Sequence, residues 1–414
     1  MYRPRACPHV TQSSRLSTGL LVGRNGKVRD VRHHVGIAVA LVCALVLLGA
    51  RPAAARTWYI QAGGGGDAPT IQAGIDSSMS GDSVVVATGF YDENLDTHSK
   101  RLHLKGAGAT VTIVDGGRRA EVLILSGGGV VEDFTLRGGH AANFGGGVRI
   151  VGPTAAIVRN NIIEDNFVGE FDAGLGGGIY LEFSAEGVVI EDNIIRDNIA
   201  GDEGGGIYDR PGGTTHFIRN NIIMGNACHV AGAGLSVFEA HVENNLILRN
   251  RSDHFGGGVY ANGQVQIRSN TIFGNLVGNF FINGAGIHTC GANVVIANNI
   301  IAENKQDGQS GSGAGIFCCA AEPPTITCND IWGNDIDAAY DCSGPSSRNF
   351  SLDPQLCAAD PITSLSFSLQ GDSPCAPGND PSGGTCGLIG AAPVGCGSVS
   401  VQQRTWGEVK QVFR

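Results

Sequence analysis

Two sets of residues in this chain could do chemistry. Asp172, Asp202, Glu203, His229, Asp253, His254 and Asp307 each fall in a short polar stretch ahead of a glycine cluster. Neighbouring carboxylates and imidazoles can pass protons as general acid and base, or gather around calcium. Asp172, Asp202, Glu203, Asp253 and His254 are therefore the candidate catalytic residues. The second set follows the same clusters: Arg149, Tyr180, Tyr208, Ser236, Tyr260, His288 and Phe317 each lie two residues past the last glycine. Placed on an outer face, Tyr180, Tyr208, Tyr260 and His288 would make an aromatic stripe able to stack on sugar rings or a partner surface. Plainer explanations exist for both sets. Exposed strands accept aromatic residues, and polar side chains are ordinary in loops.

Whether these residues meet depends on the elements that carry them, and the chain repeats. The glycine clusters are GGGVR at 145, GGGIY at 176 and 204, GAGLS at 232, GGGVY at 256, GAGIH at 284 and GAGIF at 313. Between them run VRNNIIEDN (158–166), IEDNIIRDN (190–198), IRNNIIMGN (218–226), VENNLILRN (242–250), IRSNTIFGN (267–275), IANNIIAEN (296–304) and ITCNDIWGN (326–334). Copies recurring every 20–50 residues indicate a stacked repeat. Three positions before the first shared Asn stands a β-branched residue in every copy, and two positions after it always an isoleucine. Such short, β-branched runs read as strands. Short strands stacked copy upon copy make an all-β fold, a parallel β-helix whose coils lie about 4.8 Å apart. The glycine clusters then supply Val148, Ile179, Ile207, Leu235, Val259, Ile287 and Ile316 to the core.

In that register Asn161, Asn193, Asn221, Asn245, Asn270, Asn299 and Asn329 stack at one corner, and Asn166 to Asn334 at another. Corner amides lack strand partners, and a stacked Asn can bond both local backbone and its counterpart in the next coil. These asparagines are structural. Arg159, Glu191, Arg219, Glu243 and Arg268 alternate in sign on the outside, as stacked neighbours should.

The regular coils run over about 120–345, within a β-helix spanning 56–395. Ahead of them, Ile71 and Ile75 at i, i+4 in TIQAGIDSSM predict a short cap helix. After them, residues 351–378 carry Pro and Cys and are expected to cap the far end. Residues 396–414 read as a linker and an amphipathic tail, TWGEVKQVFR. Residues 1–55 read as a long basic n-region, an apolar run and a small-residue site, a secretory signal cut after Ala55. That segment holds 8 of the 28 Lys/Arg and 1 of the 38 acids, leaving 20 basic and 37 acidic residues and a net charge of −17. This balance argues against nucleic acid as a partner. Ten of the twelve cysteines remain, eight of them between 318 and 396. In an exported chain these suggest disulfides, not metal sites. Cys290 and Cys319 both lie four residues past their last glycine, so they should stack and bridge. Cys318 would point inward as a buried thiol. Cys328, Cys342, Cys357, Cys375, Cys386 and Cys396 would pair within the cap, and Cys228 has no obvious partner.

GGGIY and IRNNIIMGN, with the lead-in TIQAGIDSSMSGDSVVVATGFYDENL, resemble the right-handed parallel β-helix proteins of the pectin-lyase-like superfamily. The resemblance covers about 57–395. It implies the fold, with a first-coil lead-in, while the superfamily's activities range from lyases and hydrolases to adhesins. The N-T-D, D-D, H-G and R-I-K series of polygalacturonases is missing, as are the pectate-lyase arginine and calcium motifs. Tyr91 and Glu93 in GFYDENL match part of a pectinesterase motif but also suit a structural role. No cofactor is expected, and calcium, though chemically possible, has no motif here. The expectation is a secreted or surface-exposed monomer that binds a polysaccharide or a cell-surface protein. The alternatives are a carbohydrate-active enzyme, a lyase or hydrolase of uronate-type glycans, and a purely structural solenoid.

Overall fold

The computed structural model describes residues 54–396 except 154, 171–172, 213, 279–283, 292, 308–312, 320–323, 336–341, 343–345 and 359–365. The signal segment, Asp172 and the C-terminal tail lie outside the described residues, the first save for its last two positions.

Short strands group into three parallel sheets of 19, 7 and 10 strands, and each coil of the chain contributes to all three in the regular region. Register is kept from coil to coil. Val148, Ile179, Ile207, Leu235, Val259, Ile287 and Ile316 pair in sequence order and are fully buried. Ile163, Ile195, Ile223, Ile247, Ile272 and Ile301 form a second interior column. A period of two puts one face of each strand inside, so a slip of one residue would expose a whole column.

The corners are built as paired positions. In IRNNIIMGN, Asn220 takes the left-handed conformation at φ 55°, while Asn221 is the buried ladder residue. The same left-handed step recurs at Asn160, Asp192, Asn244, Ser269, Asn298 and Cys328. The residue that turns the chain is thus the one before the shared Asn, not the shared Asn itself. Asn221 Nδ2 donates to Asn245 Oδ1 at 3.0 Å and to the Ile190 carbonyl at 2.9 Å. Its own Oδ1 accepts the Asn193 N–H and Nδ2, both at 3.0 Å. The second column, Asn166 to Asn334, repeats this pattern. At the glycine corner, Gly176 has φ 72°, and a Cβ on Gly178 would lie 2.6 Å from the Gly206 carbonyl oxygen. Coil-to-coil backbone contact is what demands glycine there.

A helix, α1 (Ile71–Ser77), is capped by Thr70 and buries Ile71 and Ile75. The Glu93 carboxylate accepts the N–H groups of Ile71 and Gln72, and Tyr91 is buried with its hydroxyl on the Ala87 carbonyl. Both residues hold the first coil together.

The Cys-containing C-terminal segment follows the last coil, where Ser346 and Ser347 pair with Ile326 and Thr327. It runs along the outer wall of the last coils. Phe367 meets Phe273 at 5.6 Å, Gly390 donates to the Asn298 carbonyl, and Ala391 donates to Thr271 Oγ1. Leu369, Cys375 and Ile389 bury against Ile300 and Ala302. Cys290–Cys319 bridges adjacent coils with Cα atoms 4.7 Å apart, as expected. Cys318 is not a free thiol but pairs with Cys342, while Cys328 pairs with Cys386 and Cys357 with Cys396. Cys375 stays a buried thiol, since Asp330 rather than a cysteine occupies its neighbourhood. The four disulfides among the described residues fit an oxidising, extracellular setting.

Candidate functional site

The residues two past each cluster do align: Arg149, Tyr180, Tyr208, Ser236, Tyr260, His288 and Phe317 pair coil to coil on the largest sheet. Tyr180 and Tyr208 stack 5.8 Å apart and 3° from parallel, and His288 stacks between Tyr260 and Phe317. The stripe is not an open platform, however. Tyr180 is 0% exposed, Tyr208 7% and His288 4%. Neighbouring side chains cover them. Phe144 stacks on Tyr180 at 4.7 Å, Arg210 donates to the Tyr180 hydroxyl, and Phe238 sets its edge against Tyr208 and Tyr260. Only Tyr260, Arg149 and Phe317 keep partly open surfaces.

The polar edge beside this column is more open. Glu203, Ala231 and Phe255 pair in register, so residues just before them line up across three coils. His229 Nδ1 lies 3.0 Å from Asp253 Oδ2, and His254 sets its ring edge-on to His229 at 5.1 Å. Asp202, His229, Asp253 and His254 are all partly exposed. The edge residues from consecutive coils therefore converge. Asp307 lies further along the same register, two coils past Asp253 with Gly278 between them, and is exposed.

Glu203 links the edge to the aromatic column. It is half-buried and accepts a hydrogen bond from Ser236 Oγ at 2.8 Å. Burial pushes its carboxyl up to about 7, opposed by the Ser236 hydroxyl and reinforced by Asp202. Burial, aided by Glu203, raises the Tyr208 hydroxyl as well. A carboxyl that gains and loses its proton near neutrality can serve as acid or base, and flanking hydroxyl and imidazole groups can hold a hydroxylated ligand.

Sequence reading missed a buried pair behind the column. The Val188 N–H donates to His216 Nδ1, so the proton of His216 is on Nε2, 3.4 Å from Asp209 Oδ1. Both side chains are 1% exposed, which denies them to any substrate. Asp209 follows Tyr208 directly and His216 opens the strand His216–Arg219, in register with Ala240, so both stand at regular strand positions.

The family model described as "Right handed beta helix region" matches residues 117–247. The chain folds as a parallel β-helix, and the match spans about a third of it. A solved structure titled "Crystal structure of pectate lyase Pel9A" is similar at a TM-score of 0.47 and 13% identity, covering 83% of this β-helix chain and 96% of that one. No curated protein matches the chain.

Proposed function

We propose that this β-helix protein is secreted and binds a polysaccharide along the edge formed by Asp202, His229, Asp253, His254 and the open face of Tyr260. The observation that carries the reading is the meeting of His229, Asp253 and His254 from adjacent coils, with Asp202 in the coil before and Tyr260 on the sheet beside them. A ladder of donors and acceptors spaced along a rod suits a linear polymer better than a small solute. Charge selects among polymers. The net of −17 outside the leader, with acids at the edge itself, repels polyuronates and favours neutral glycans. A panel of neutral and uronate polysaccharides tested against the full chain decides this. Retention by neutral chains supports the reading, and retention by uronates alone, or by none, removes it.

A second reading rests on Glu203. A carboxyl poised near pH 7 beside Ser236 favours acid–base cleavage of the bound chain, with hydrolysis preferred to uronate elimination on the same charge argument. Release of reducing ends that stops in Glu203→Gln supports it. Equal release by both forms, or none by either, removes it.

A further inference from the structure

We propose that His288, Cys290 and Cys319 form a redox-gated metal site, closed as a disulfide and opened by reduction to bind a zinc-type divalent cation. Donor atoms of the three residues lie within 4.8 Å of one another. His288 Nε2 is 3.4 Å from each sulfur. Tetrahedral zinc, with Zn–N near 2.0–2.1 Å and Zn–S near 2.3 Å, separates nitrogen and sulfur ligands by about 3.6 Å and two sulfurs by about 3.8 Å. The nitrogen is therefore already at ligand distance, and only the sulfurs must move apart. Their Cα atoms, 4.7 Å apart on adjacent coils, allow that by side-chain rotation.

The imidazole is held in place. Its ring packs between Tyr260 at 5.5 Å and Phe317 at 5.1 Å, with Phe255 at 4.9 Å, and it is 4% exposed. Cys319 is exposed and Cys290 half-buried, so the site has a buried nitrogen at its base and solvent at its mouth. Three protein ligands with an open fourth position is the arrangement that admits water or an anion. Spacing past the glycine clusters signals the two cysteines, and the structure adds His288, two residues before Cys290.

Opening needs two electrons and two protons, which an external dithiol supplies. Its thiolate attacks the exposed Cys319 sulfur, breaking the Cys290–Cys319 bond and releasing the Cys290 thiolate, which takes up a proton. The dithiol's second thiolate then attacks the mixed disulfide, leaving Cys319 as a thiol and the reagent as its own disulfide. A divalent cation displaces the two thiol protons and takes neutral Nε2 as its third ligand.

Cobalt titration of the full chain after dithiol reduction tests this, with far-UV circular dichroism recorded on every sample. The reduced protein should take up one more Co²⁺ than the Cys290→Ser/Cys319→Ser double variant, with a thiolate charge-transfer band absent from that variant and from the oxidised protein. His288→Ala should weaken this uptake by more than about 100-fold, since even outer-shell partners of ligands cost 10–100-fold. Equal uptake by wild type and double variant overturns the proposal, as does unchanged affinity in His288→Ala. Loss of the β signal on reduction with no additional cobalt bound overturns it too.

Discussion

A single asparagine in this protein satisfies groups in three coils. Asn221 takes donors from Asn193 and gives to Ile190 and Asn245, all buried. Asn221→Ala would strand several of these, each costing about 1–3 kcal/mol. We expect a loss of about 3 kcal/mol or more in urea unfolding, and a change below 1 kcal/mol would show that the ladder is incidental. Every copy carries the residue, which is why its structural role was legible in the sequence. Which of two adjacent asparagines turns the chain was not legible, because both tolerate positive φ. The tyrosines teach the opposite lesson. Their alternation correctly gave a side pointing away from the core, but burial by Phe144, Phe238 and Arg210 comes from positions that do not repeat from coil to coil. Tyr208→Ala should therefore destabilise by about 3–5 kcal/mol, like other buried aromatic truncations. Wild-type stability in that variant would contradict the covered column.

At the scale of elements, the strands and corners repeat and could be read, whereas the C-terminal segment occurs once and could not be placed. Its docking depends on Asp330, which sits in a column that other coils fill with isoleucine, leucine or threonine. The carboxylate accepts the Leu352 N–H and the Cys375 S–H. Burial pushes Asp330 up to about 7, against these two hydrogen bonds. An unfolded Asp titrates near 4. Between about pH 4 and 7 the folded state therefore holds a proton that the unfolded state has released. This stabilisation is full below about pH 4 and declines as pH rises through 7. Urea midpoints should fall across that window in wild type, and Asp330→Asn should flatten the decline. An identical slope in both proteins would rule Asp330 out as its source.

For the whole molecule, the stack of coils brings residues 24 to 33 positions apart into contact, as His229 with Asp253 and Glu203 with Ser236. Register alone predicted that the edge residues would run along one side. Their contact follows from the pairing of Cys228 with Ser252 in the seven-stranded sheet, short strands that the sequence reading did not place, so the site was readable as a list of candidates and not as a geometry. The central claim is that this edge holds a polysaccharide. Calorimetric titration of the full chain with the neutral polysaccharide that binds best, against the His229→Ala/Asp253→Asn variant, tests it most directly. The account predicts at least a tenfold weakening, about 1.4 kcal/mol, with unchanged unfolding behaviour. Equal affinity in a folded variant would contradict it.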